Sequence, residues 1–170
     1  MGVVYAPQDA QDAETLMRFA DMAMYQAKEN GRGILAMYSV AMLHRLEEKM
    51  RLHKRLKQAL LTHQLALHYQ PQVNLFDNQV HSVEALLRWH DSELGNVPPD
   101  RFIPVAESSG LMLLLGDWVL ETACQQIAEW HRKGMNLRVA VNVSVQQFRG
   151  ANLAERVGGL IQRLNFPAHL

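Results

Sequence analysis

The sequence predicts an α/β fold, a barrel or an open sheet, on three observations. Leu65, Leu67, Tyr69, Val73 and Leu75 alternate with polar residues at the period of a strand. A second strand period, from Val80 to about Trp89, follows after a turn at Phe76-Asp77-Asn78-Gln79. From Asp100 onward, helical and strand periods take turns to the end of the chain.

In chain order, Gly2 to Ala6 is a short strand closed by Pro7. Leu16, Phe19, Ala20, Ala23, Met24 and Ala27 lie at three-and-four spacing, which predicts a helix over about 13–29 stopped by Gly31. Ile34 to Tyr38 is a second short strand. Such a set cannot enclose a core by itself, so it needs a neighbour or more chain upstream. From about Val40 to Leu61 there is no helix breaker, and Leu52, Leu56, Ala59 and Leu60 form a narrow apolar stripe, as in a connector helix. The basic residues Lys49, Arg51, Lys54, Arg55 and Lys57 read as its wet face. The turn at 76–79 is too short for a parallel crossover, so the two strands around it should form an antiparallel hairpin. Asp100 caps a short helix that Gly110 ends. A longer helix runs from about Leu114 to Lys133, burying Leu120, Ala123, Cys124, Ile127 and Ala128, with Gly134 as its stop. Leu137 to Ser144 is a third strand of this region, and Asn152 to Asn165 a further helix with Leu153, Val157, Leu160, Ile161 and Leu164 inward.

Composition narrows the function. The 170 residues carry 17 Lys and Arg against 17 Asp and Glu, which argues against a general DNA or RNA binder, since that needs a basic face. Cys124 is the one cysteine, so neither an internal disulfide nor a multi-thiolate zinc site can form, and a reducing cytoplasm is the expected home. Its apolar neighbours mark it as a buried, inert thiol. The longest apolar run, Leu111 to Leu115, is far short of a membrane span.

The strand faces carry the chemistry. Alternation places Ser82, Glu84, Leu86 and Arg88 on one face and Val83, Ala85, Leu87 and Trp89 on the other. Arg138, Ala140, Asn142 and Ser144 likewise oppose Val139, Val141 and Val143, and His68, Gln70 and Gln72 oppose Leu67, Tyr69 and Val73. Polar groups repeated on the inner face of a sheet walled by helices are costly unless paired, metal-bound or wet. A carboxylate and an amide oxygen are hard ligands suited to Mg²⁺ or Mn²⁺, and Arg88 on the same face could hold a phosphate. Metal-assisted phosphodiester chemistry is one reading. A structural Glu84–Arg88 ion pair, with Asn142 satisfying a loop, is the other, and alternation weighs them evenly.

Tyr69-Gln70-Pro71-Gln72 and Glu84-Ala85-Leu86-Leu87-Arg88-Trp89 resemble the opening of the EAL domain family. Pro98-Pro99-Asp100-Arg101-Phe102-Ile103-Pro104, Ala106-Glu107-Ser108-Ser109-Gly110-Leu111 and Val141-Asn142-Val143-Ser144 are similar to its next blocks, in family order. The resemblance implies a (β/α) barrel with an antiparallel first strand that hydrolyses cyclic-di-GMP to pGpG with two metal ions, Mg²⁺ or Mn²⁺. It implies Glu84 and Asn142 as metal ligands and Gln70 and Arg88 as substrate contacts. Ala20-Asp21-Met22-Ala23-Met24-Tyr25-Gln26-Ala27-Lys28 with Asn30-Gly31-Arg32 resembles the last helix and exit of a GGDEF domain, where Lys28 and Arg32 match phosphate-contact positions. Without that family's signature loop they read as surface charges, and cyclase activity is not expected.

The expected organisation is therefore a GGDEF tail over 1–39, a connector helix over 40–61 and the first part of an EAL domain over 62–170. The resemblance places further acidic motifs and a lysine beyond the blocks found here. The expectation is a fragment of a cyclic-di-GMP phosphodiesterase that alone does not hydrolyse, with an open edge on its last strand. A non-catalytic cyclic-di-GMP-binding or protein-interaction module is the alternative. Self-association would run through the EAL part or the connector helix, and any membrane anchor would lie upstream.

Overall fold

The computed structural model describes residues 1–29, 31, 33–149 and 152–170, which divide into two compact units, Met1–Arg51 and Leu52–Leu170.

In the first unit, β1 (Gly2–Val3) and β2 (Ala36–Met37) pair in parallel, and α1 (Ala13–Glu29) packs on them. Both strands are shorter than their apolar runs, because a two-stranded ladder has few partners to extend it. Gly2 permits the close approach: a Cβ there would stand 2.1 Å from the carbonyl oxygen of Ala20. The Phe19 and Tyr38 rings stack at 3.9 Å between centroids. The first part of α2 (Val40–Ala59) completes the unit.

The second unit is built on a mixed sheet. β3 (Leu65–Val73) and β4 (Val80–Asp91) form the expected antiparallel hairpin, with Leu65 opposite Trp89 and Gln70 opposite Glu84. The other side of β4 carries two partners. Its end pairs antiparallel with β5 (Gly95–Val97), and its middle pairs in parallel with β6 (Arg138–Val141), Glu84 lying beside Ala140. β5 has no signal of its own in the sequence; three residues after a turn are too few to show a period.

Between the strands lie α3 (Pro99–Ser109) and α4 (Met112–Arg132); α5 (Val145–Arg149) and α6 (Leu153–Leu164) follow β6. The N-cap of α3 is Pro98, with no side-chain cap, and not Asp100 as the sequence suggested. Pro99 at the first helical position presets φ, and Asp100 inside the first turn places its charge toward the positive end of the helix dipole. Gly110 ends α3 at φ 76°, the left-handed conformation that favours glycine.

The apolar stripe of α2 does bury Leu52, Leu56 and Ala59, with Leu65, Trp89, Val97, Phe102, Val105, Ala106, Leu111, Met112 and Leu115. Trp89 and Phe102 meet edge to face at 5.4 Å. A second cluster joins Cys124, Ile127 and Ala128 of α4 to Phe166, with Val139, Leu160, Ile161 and Leu164 against it. Arg163 bonds Glu121 at 2.7 Å and Arg156 pairs with Asp117, which tie α6 to α4. Leu170 packs on this cluster, and its carbonyl accepts the Val139 N–H at 2.8 Å. The outer edge of β6, expected to be open, is therefore met at that point by the chain itself.

Arg55 departs from the wet-face reading. Its Nε donates to Asp91 Oδ2 at 2.6 Å, Nη2 reaches the Ser92 hydroxyl at 3.1 Å, and Nη1 pairs with Glu93. The other carboxylate oxygen of Asp91 accepts the backbone N–H groups of Glu93 and Leu94, both at 2.9 Å. With Leu52, Leu56 and Ala59, Arg55 occupies the buried side of α2, and one guanidinium clamps the turn between β4 and β5.

Candidate functional site

Strand parity places the predicted residues as alternation requires. Val83, Ala85 and Trp89 of β4 are buried, while Ser82, Glu84, Leu86 and Arg88 remain partly accessible on the opposite face. In β3 the core side is Leu65, Leu67 and Tyr69, and the accessible side is Ala66, His68, Gln70 and Gln72. Directly opposed residues of an antiparallel pair share a face, so Gln70 neighbours Glu84, and Gln72 accepts a bond from the Ser82 hydroxyl at 2.9 Å.

The third strand supplies the amide. Asn142, immediately after β6, donates from Nδ2 to Glu84 Oε1 at 2.8 Å, across 58 residues of sequence. Glu84 is thus met by Asn142, while the Arg88 guanidinium donates through Nη1 to the carbonyl of Leu87 at 2.9 Å. The ion-pair alternative for Glu84 and Arg88 gains no contact from this arrangement. Four residues of strand put Arg88 about 13 Å along the face from Glu84.

Tyr69 lies beside Gln70 in the chain but points into the core, its ring edge-on to Trp130 at 4.8 Å. Burial, reinforced by nearby Cys124, pushes its phenol up to about 12, so it stays protonated and apolar in behaviour. Burial likewise raises the Cys124 thiol, as expected of an inert cysteine; Arg163 opposes and Glu121 adds to that effect.

The turn after β6 is the feature that sequence reasoning passed over. Ser144 and Gln147 cap α5 reciprocally: the Ser144 N–H donates to Gln147 Oε1 at 3.1 Å, and the Gln147 N–H donates to Ser144 Oγ at 3.2 Å. The Ser-x-x-Gln spacing of a capping box was present in the sequence as its signal.

A carboxylate beside an amide oxygen suits a hard cation such as Mg²⁺ or Mn²⁺. Among the described residues, no three His, Cys, Asp or Glu side chains gather as a metal set. Glu84 and Asn142 therefore fit part of a coordination shell. Lys28 stands exposed in the last turn of α1, and Arg32 lies outside the described residues. Among the described residues, no helix is long and apolar enough to cross a membrane.

Comparison with known proteins finds relatives over nearly the whole chain. Relatives include the cyclic di-GMP phosphodiesterase PdeR of Escherichia coli (strain K12), 41% identical over 166 residues, 98% of this chain and 25% of that protein. The bifunctional diguanylate cyclase/cyclic di-GMP phosphodiesterase MucR of Pseudomonas aeruginosa is 39% identical over 172 residues, covering all of this chain and 25% of its own length. The chain thus spans about a quarter of these two relatives. Among solved structures, the PaMucR phosphodiesterase in complex with c-di-GMP superposes at a TM-score of 0.67 and 41% identity, over 71% of this chain and 49% of that one. The FimX EAL domain of Pseudomonas aeruginosa bound to c-di-GMP superposes at 0.60 and 26% identity, over 68% and 46%. The family model described as the EAL domain matches residues 53–170, the stretch that contains every strand of the mixed sheet, and the chain belongs to the EAL domain family.

Proposed function

We propose that this chain carries part of the site of a cyclic-di-GMP phosphodiesterase, which converts the messenger to pGpG. The observation that carries the reading is the 2.8 Å bond between Asn142 and Glu84, with Gln70 directly across the strand pair. Glu84 and Asn142 would hold Mg²⁺ or Mn²⁺, which when bound supplies an activated water and charge stabilisation at a phosphoryl oxygen. Arg88 would bind a phosphate, and Gln70 would orient the ligand by hydrogen bonding. The spacing between Glu84 and Arg88 suits a ligand of dinucleotide size rather than a single phosphate.

With no three-ligand metal group among the described residues, the 170 residues would bind the messenger without turning it over. The region 1–39 would be the tail of a GGDEF domain, 40–61 a connector and 62–170 the EAL portion, in a cytoplasmic setting. Lys28 would be a surface charge in that tail, and self-association would use the EAL part or the connector.

Titration of the full chain with cyclic-di-GMP in Mn²⁺ buffer should give saturable binding and no pGpG. Glu84→Ala should weaken that binding at least about tenfold, the scale expected when support for a metal is lost. Unchanged affinity in the folded variant would refute the nucleotide reading. Turnover by the wild-type chain that disappears in Glu84→Ala would refute the binding-only statement.

A further inference from the structure

We propose that Gln147 is a positioning residue for Asn142, fixing the amide that meets Glu84; the functional part of this inference rests on the reading just given. Pairing of β6 with β4 ends at Val141, opposite Ala85, so Asn142 lies just past the ladder. The next anchored residue is Ser144, whose N–H donates to the Gln147 side chain and whose hydroxyl accepts the Gln147 N–H.

A cap on a five-residue surface helix needs no burial, and a wet side chain could serve. Gln147 is instead only 4% exposed, although burying an amide is costly. Its side-chain amide lies against Gly116 of α4, where a Cβ would stand 1.8 Å from Nε2 and 2.6 Å from Oε1. The glycine makes the seat and the capping bonds hold the side chain in it. Neighbouring Gln146 ties the same turn to α3 by donating to the Glu107 carbonyl at 3.0 Å. The core helix α4 thus holds Gln147, Gln147 holds Ser144, and Ser144 lies two residues from Asn142. An amide with free torsions would leave Glu84 for water; one held from both sides stays.

The test compares Gln147→Leu, which keeps bulk without an acceptor, with Gln147→Glu, which keeps an acceptor for the Ser144 N–H. In the full chain, the Asn142 side-chain NH₂ resonance, assigned by its loss in Asn142→Asp, reports the bond to Glu84 without any ligand. Gln147→Leu should move that resonance toward its position in Glu84→Ala and weaken Mn²⁺-dependent cyclic-di-GMP binding about tenfold. Gln147→Glu should restore both. A folded Gln147→Leu protein with the resonance and affinity of wild type would overturn the proposal. Should Gln147→Leu not fold, Ser144→Ala takes its place: a displaced resonance supports the proposal and an unmoved one refutes it. If the resonance follows Gln147 while Glu84→Ala binds nucleotide normally, the positioning role stands and the proposed function fails.

Discussion

Asp91→Ala is expected to cost about 3–5 kcal/mol, the range for removing one partner of a buried ion pair. Asp91 is 1% exposed, and its loss removes three hydrogen bonds at once: one from Arg55 and two from the backbone of the β4–β5 turn. Arg55 would keep Glu93 and Ser92, which hold it less deeply, so the lower part of that range is the sharper expectation. Thermal denaturation should show a midpoint lowered by on the order of 10 °C. A loss under 1 kcal/mol would mean that the clamp contributes little.

The same group sets an acid limit. Burial alone would push the Asp91 carboxyl up, but the Arg55 guanidinium and the N–H groups of Leu94 and Glu93 outweigh it and hold the carboxyl below its ordinary value. A depressed carboxyl stabilises the fold fully above its unfolded pKa, and that contribution disappears as pH falls through the folded value. Wild-type stability should therefore decline below about pH 4, and Asp91→Asn should remove part of that decline. Urea midpoints at pH 3 and pH 7 measure it.

Gly116→Ala is expected to destabilise by about 1–3 kcal/mol, the cost of overpacking. The sign is diagnostic, because alanine inside a helix is ordinarily favoured over glycine by about 1 kcal/mol. The added methyl would fall on the Gln147 amide, a flexible group that could swing aside only by leaving its capping bonds with Ser144. Adding Gln147→Ala to Gly116→Ala makes room for the methyl, so the double variant should lose less than the sum of the singles. Additive losses in urea denaturation would show that Gly116 and Gln147 do not share this space.

Much of the scaffold was legible because its signals are local. A short turn between two alternating runs can only close a hairpin, and Gly110 and Gly134 mark the helix ends they were expected to mark. Asp100 misled because the preceding prolines already start α3. Arg55 misled for a different reason: its neighbours Lys54 and Lys57 are basic, yet it lies three residues after Leu52 and beside Leu56, on the apolar side of the helix. Burial of a charge is visible in sequence only when its partner is known, and Asp91 is 36 residues away.

The sequence by itself determined which residues share a face, since side-chain direction along a strand repeats every second residue; Glu84 and Arg88 follow from that, as does Gln70 against Tyr69. Only the tertiary structure decided that Ala140 lies beside Glu84, that Asn142 therefore reaches it, and that Gln147 is seated on Gly116. The reason is that register between distant strands depends on how the helices between them pack, a sum of weak contacts spread over the second unit, whereas parity is a property of each strand alone.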